Sequence, residues 1–155
     1  MIHALKFRRL DFLGRQLGHE LGERYAAALS SVDVVAPVPL AWLRRLGRGF
    51  DQAEVIASAV AQVAGLPLRS LLVRRRGTRP QSRIPGRAER QRNPIGAFAA
   101  SRQLAKSWRG CHILLVDDVV TTGATLDAAA SCLLEAGAGQ VTALVVARQP
   151  APGEG

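Results

Sequence analysis

The sequence predicts an α/β fold: a single domain with a parallel sheet flanked by helices. Three observations point there. Short apolar runs alternate with segments of helical period, in the order helix, strand, helix, strand, basic loop, strand, helix, strand, and such alternation favours a parallel sheet. Residues 113–116 (Ile-Leu-Leu-Val) form an unbroken apolar run, as in a strand buried on both faces. Two acids, Asp117 and Asp118, stand where that strand should end, with a small-residue loop behind them. In open parallel sheets this end, beyond the strands' carboxyl termini, is where ligands bind.

The elements follow in order. Leu10, Leu13, Leu17, Leu21, Tyr25 and Leu29 recur every three or four residues, with Arg15, Glu20, Glu23 and Arg24 opposite, an amphipathic helix expected to cover one face of the sheet. Gly14, Gly18 and Gly22 recur at the same spacing and are expected to allow close approach to the sheet. Val32, Val34, Val35 and Ala36 make a first short strand, which Pro37 and Pro39 should end, since proline cannot continue a central strand. Residues 42–50 form a loop with Arg44, Arg45 and Arg48, on the same side as Asp117. Asp51 and Glu54 have the spacing of a capping box. The helix behind them uses Val55, Ile56, Ala59, Val60 and Val63, and should stop near Gly65. Leu71, Leu72 and Val73 make a second short strand. After the central strand, a helix from about Thr125 should run to Ala136 and end at Gly137. Val141 to Ala147 are expected to form a last buried strand. The domain is expected to span residues 1–148, with 149–155 as a disordered tail.

Composition narrows the function classes. The chain has 155 residues, 48% of them apolar, which suits one domain with one core. It has no apolar run long enough to span a membrane and no apolar stretch after Lys6, Arg8 and Arg9 that would make a signal peptide. The cytoplasm is the default. Cys111 and Cys132 lie far apart, outside any metal-ligand spacing, and are expected to be reduced packing residues. His19 is read as a solvent-facing helix residue with no role, and His112 as structural. The net charge is +9, but its distribution says more. Residues 69–109 hold eleven arginines and Lys106 against Glu89 alone, so +11, and the other residues sum to −2. A segment of that kind points to an anionic partner, a polyphosphate or a nucleic acid.

The loop after the central strand can be read chemically. Thr121, Thr122, Gly123, Ala124 and Thr125 are small, so backbone N–H groups can come close to a ligand. The first N–H groups of the following helix lack intrahelical partners and carry partial positive charge, which suits a phosphate. Asp117 and Asp118 repel a phosphate but accept from diol hydroxyls or hold hydrated Mg²⁺. A phosphate at one end and sugar hydroxyls at the other describe a ribose 5-phosphate. Response-regulator and Walker-type NTPase folds also end a strand in paired acids, but the chain contains no G-x-x-x-x-G-K-[ST] loop.

The string Val-Asp-Asp-Val-Val-Thr-Thr-Gly-Ala-Thr, residues 116–125, resembles the phosphoribosyl-pyrophosphate (PRPP) motif of type I phosphoribosyltransferases. The resemblance implies a Rossmann-like domain. It assigns Asp117 and Asp118 to the ribose hydroxyls, as catalytic residues and as ligands of Mg²⁺, and the rest of the motif (Val119, Val120, Thr121, Thr122, Gly123, Ala124 and Thr125) to the 5-phosphate. Pro37-Val-Pro-Leu, then Arg48-Gly-Phe-Asp-Gln, resembles the ComF branch of that superfamily. So does the pattern of Thr78, Gln81, Arg87 or Arg90, Asn93 and Phe98. Asp51 stands where that family usually has Asn. ComF proteins usually begin with a cysteine-rich zinc module. This chain has no Cys-x-x-Cys, so it is read as a short form or one with a truncated start, and that module's roles do not carry over.

Two classes of function follow. In the first, an enzyme binds PRPP with Mg²⁺ and passes the phosphoribosyl group to an acceptor that no motif names. Residues 74–98 then form a closing loop whose Arg75, Arg76, Arg79 and Arg87, with Arg48, contact the pyrophosphate. In the second, the fold grips single-stranded DNA through the same arginines, or senses a phosphoribose, without turnover. Family resemblance implies a role in natural transformation and DNA uptake, alongside helicase and recombination proteins. Dimers are common among similar proteins, so a homodimer is also expected.

Overall fold

The run at 113–116 lies at the centre of the sheet. A computed structural model describes residues 2–39, 51–75, 96–120 and 122–149, with side chains in the first helix from Asp11 onward. Its elements are α1 (Ile2–Arg24), α2 (Ala26–Leu29), β1 (Val34–Pro37), α3 (Gln52–Ala64), β2 (Leu72–Arg74), β3 (Phe98–Ala100), α4 (Arg102–Ser107), β4 (His112–Val120), α5 (Ala124–Glu135) and β5 (Gln140–Arg148). The main sheet has the order β1-β4-β5, all parallel. Leu68 adds one parallel bridge to Val35 on the far side of β1.

Alternation along the strands makes two cores. Val34, Ala36, Ile113 and Leu115 point to one face, against Leu126, Ala129 and Leu133 of α5. Val35, Leu114 and Val116 point to the other, against Ile56, Ala57, Val60 and Ala61 of α3. Both helices carry the ends foreseen for them. Asp51 caps α3, accepting from the Ala53 N–H at 3.1 Å. Gly65, at φ 66°, closes its other end. Gly137, at φ 107°, does the same beyond α5, where the Ala138 N–H reaches back to the Leu133 carbonyl. Glycine takes this left-handed conformation without a Cβ penalty.

Four expectations need correcting. The second short strand does not join the parallel sheet: β2 pairs antiparallel with β3 in a separate two-stranded sheet. β1 ends at Pro37, as expected, but runs from Val34 rather than Val32 and takes that proline in as its last residue, opposite Val116. The N–H of Val35 points to the Leu68 side and that of Val38 to β4. By alternation the amide that Pro37 lacks falls on the Leu68 side, so the ladder to β4 loses nothing. β5 is not buried: it is the outer of the described strands of its sheet, and every residue in it is exposed or half-exposed.

The fourth correction concerns α1. Its glycines, not its leucines, make the main contact, and they meet α3 rather than the sheet. A Cβ on Gly18 would lie 2.6 Å from the Ala59 Cβ and 2.7 Å from the Ile56 carbonyl oxygen, while Leu13 and Leu17 are exposed. Gly18→Ala would gain about 1 kcal/mol of helix propensity. Against that, overpacking a helix contact whose neighbour is backbone costs about 1–3 kcal/mol. We expect Gly18→Ala to lower the urea midpoint, and Gly14→Ala, whose Cβ would meet side-chain atoms alone, Val55 at 3.1 Å and Ile56 at 3.8 Å, to change it far less.

Candidate functional site

β4 outruns its neighbour. Pairing with β1 ends at Pro37–Val116, whereas pairing with β5 continues to Val120–Arg148. Asp117 and Asp118 therefore lie inside β4, not at its end, and among the described residues no strand pairs with the β1 side of β4 beside them. The chain re-enters next to them at Asp51, whose charge reaches Asp117. The two carboxylates order their own strand. The Asp118 N–H donates to Asp117 Oδ1 at 2.9 Å, and the Val119 N–H donates to Asp118 Oδ1 at 2.9 Å. Val119, beyond them, is 45% exposed.

Asp117 has an altered acidity. Burial out of water pushes its carboxyl up to about 7 from an ordinary 3.8. A side-chain hydrogen bond with Asp118 and the negative charges of Asp118 and Asp51 push the same way, while the Asp118 backbone N–H opposes them. A half-buried acid among acids favours ligands that bring hydroxyl donors or a cation.

The loop then turns into α5. Gly123 is the N-cap residue, at φ 84°, and no side chain caps the helix. The Thr122 hydroxyl sits 3.4 Å from the Ala124 N–H, and the Asp127 N–H closes the first turn onto the Gly123 carbonyl. That long bond from the Ala124 N–H to the Thr122 hydroxyl is the only side-chain bond to the first-turn amides among the described residues, and a helix start of this kind suits an anion. Asp127 in the first turn offsets part of the helix-end charge. Val120 packs into the core beneath the loop, Ala124 and Thr125 are half-buried, and Thr121 lies outside the described residues.

Of the arginines expected to contact pyrophosphate or DNA, Arg48, Arg76, Arg79 and Arg87 lie outside the described residues. Arg75 follows β2, its N–H donating to the Ala97 carbonyl, and its charge reaches Cys132. Cys132 is nine residues along α5 from Gly123, about 13 Å at 1.5 Å per residue. Nearby, Arg74 lies 5.3 Å from the Phe98 ring centre and Arg69 lies 6.0 Å from that of Trp108. His112 is structural, as read. Its Nδ1 lies 2.9 Å from the Ser31 carbonyl, its Nε2 2.8 Å from Thr142 Oγ1, and its own N–H donates to Asp33 at 2.7 Å. Cys111 and Cys132 are free thiols, and burial pushes that of Cys132 up.

The comparisons with known proteins bear on this arrangement of two acids and a helix start. The phosphoribosyl transferase domain model matches residues 51–154. The chain belongs to that family, on its ComF-like branch. Among curated relatives, the DNA utilization protein YhgH of Salmonella typhimurium is 33% identical over 147 residues, covering 91% of this chain and 63% of the relative. The competence protein ComFC of Bacillus subtilis is 34% identical over 104 residues, covering 67% and 39%. The chain thus spans less than two thirds of the length of these relatives. A solved glutamine PRPP amidotransferase from B. subtilis, complexed with ADP and GMP, overlays with a TM-score of 0.59 at 23% identity, covering 86% of this chain and 26% of that one. That likeness concerns the fold. The described helices include none long and apolar enough to cross a membrane.

Two features escaped the sequence reading. Asp51, expected as a helix cap and as the acid that replaces the family's Asn, also lends its charge to Asp117. Asp127, one turn into α5, carried no signal beyond its sign.

Proposed function

We propose that the junction of β4 and α5 binds PRPP or a related ribose 5-phosphate with Mg²⁺, and that the domain can pass the phosphoribosyl group to an acceptor. The observation that carries this reading is the pairing of a half-buried diacid with an uncapped helix start in one loop. Asp117 and Asp118 accept from the sugar hydroxyls, while amides from Thr122 to Thr125 take the 5-phosphate. Among the described residues no cluster of three or more metal-ligating side chains exists. Two carboxylates nonetheless fit Mg²⁺, which keeps several waters and shares its shell with substrate oxygens. When bound, it supplies charge to neutralise the polyphosphate. In transfer, the sugar C1–oxygen bond breaks, pyrophosphate leaves with the electron pair, and the acceptor's lone pair forms the new bond. The acids hold the hydroxyls of the cationic sugar in place meanwhile. We also propose a cytoplasmic protein with a role in DNA uptake, in the company of helicase and recombination proteins.

The charge distribution favours a second reading, single-stranded DNA held by the basic segment. Arg69 lies over Trp108 and Arg74 over Phe98, but Phe98 is buried and no aromatic stands between Arg69 and Asn93, so contacts to the phosphates would dominate. One pair of measurements separates the readings. A ligand that binds only the native state raises its melting temperature. The first reading expects PRPP with Mg²⁺ to raise it and Arg75→Ala/Arg76→Ala to leave a dT oligonucleotide no weaker. The second expects no PRPP shift, and DNA binding whose logarithm falls linearly with that of salt, less steeply in the arginine variant. A folded chain that PRPP does not stabilise contradicts the first reading.

A further inference from the structure

One acid stands where a phosphate would not want it. Asp127 is the acidic residue in the first turn of α5. A helical Cα–Cβ bond tilts toward the helix N-terminus, so a side chain lies over the turn before its own. Asp127 follows that rule. A Cβ built on Gly123 would lie 4.0 Å from Asp127 Oδ2, and the Asp127 N–H donates to the Gly123 carbonyl at 2.9 Å. The carboxylate is folded back over the glycine of the small-residue loop.

The fold does not hold it there. Asp127 is exposed, and among the described residues no hydrogen bond or ion pair engages its carboxylate. An exposed side chain of that kind changes rotamer at little cost.

Two anions therefore suit the same helix end. Gly123, the N-cap residue of α5, brings no side chain to cap it. The partial positive charge of a helix start favours a nearby carboxylate, and it favours a phosphate. Placed together the two repel. Charges of one sign a few ångströms apart in water shift an equilibrium about fivefold, and less as salt rises.

We propose that Asp127 is an internal competitor of the 5-phosphate and a specificity-determining residue of this site. In the empty chain its carboxylate supplies the counter-charge at the start of α5. A phosphate arriving at the loop displaces it into water. That cost falls on the phosphate end alone, so inorganic phosphate or a simple phosphomonoester is held weakly. A ligand stays only when its hydroxyls also engage Asp117 and Asp118. Asp127 thereby reserves the site for a phosphate joined to a sugar diol. The inference rests on the phosphoribose reading of the site.

Calorimetry at pH 8 and low salt tests it, with ribose 5-phosphate as the ligand and inorganic phosphate as its competitor. The native chain is compared with Asp127→Asn and with Glu135→Gln. Glu135 ends the same helix, eight residues on and about 12 Å away, so its variant makes the same change in net charge at a distance. Asp127→Asn is expected to bind ribose 5-phosphate and inorganic phosphate about fivefold more tightly, the gain shrinking as salt is added. Without ligand it should melt slightly lower, because the helix start has lost its counter-charge. Glu135→Gln is expected to bind both as the native chain does. Equal affinity of the native and Asp127→Asn chains for ribose 5-phosphate overturns the proposal and leaves the phosphoribose reading standing. A gain of the same size in Glu135→Gln overturns it too, since net charge alone would then be the cause. If none of the three chains binds ribose 5-phosphate, the reading itself fails and this inference falls with it.

Discussion

Binding of PRPP with Mg²⁺ is expected to weaken about 50-fold between pH 7 and pH 5, because a carboxyl near 7 is about half ionised at the first pH and about one hundredth ionised at the second. The cause is Asp117. Its carboxyl is held at about 7 by burial, helped by Asp118 and Asp51, and only the ionised form accepts two hydroxyls or faces a cation. Above pH 8 the affinity should level off. Asp51→Asn removes one of the charges that push Asp117 up, so its profile should shift to lower pH with the same plateau. Affinity measured by calorimetry across this range checks both. A profile that is flat from pH 8 to pH 5 would count against Asp117 as a ligand-binding group.

The same carboxyl weakens the fold, and its removal should strengthen it. The sign follows from the direction of the shift. Asp117 is a weaker acid in the folded chain, near 7, than in the unfolded one, near 3.8. As pH rises between those values the unfolded state loses its proton first, so stability falls across that window and stays low above it. Asp117→Asn keeps the Oδ1 that accepts from the Asp118 N–H and discards the charge. We expect it to be more stable than the native chain by about 1–2 kcal/mol at pH 8, after discounting for the water still reaching the group. The advantage should vanish near pH 4. Urea unfolding at the two pH values reads this directly. An Asn variant no more stable than native at pH 8 would show that water and neighbouring dipoles already relieve the charge. Stability given up at a site is itself a mark of function.

Much of this was legible in the residues. The four apolar residues before Asp117 could only be a strand buried on both faces, and the small-residue loop with its helix fell within a residue of the expectation. Gly65 and Gly137 ended their helices because φ values of 66° and 107° suit glycine alone. Other features depend on neighbours that a single stretch cannot reveal. β4 continues through two acids because β5 keeps pairing with it, as Val119–Ala147 and Val120–Arg148, whereas a hydrophobicity pattern stops at the first carboxylate. β5 reads as buried because it is apolar, yet apolarity does not say whether one or both edges of a strand are occupied. The leucine stripe of α1 reads as its inner face, but the tightest helix contact went to the glycines, since only a missing Cβ lets α1 approach Ile56 and Ala59 so closely. β3 and α4, at three and six residues, are too short for a period to emerge. At the site, the acids and the phosphate loop were read from chemistry and spacing. The proximity of Asp51 to Asp117 needed the fold.

The most direct test of the central claim is calorimetric titration of PRPP with Mg²⁺ at pH 8 into the native chain and into Asp117→Asn/Asp118→Asn. The account predicts saturable binding by the native chain and a loss of at least 100-fold in the paired variant, about 3 kcal/mol, with the variant folded and no less stable. A native chain that gives no binding heat and no competition, or a paired variant that binds as tightly as the native chain, would contradict it.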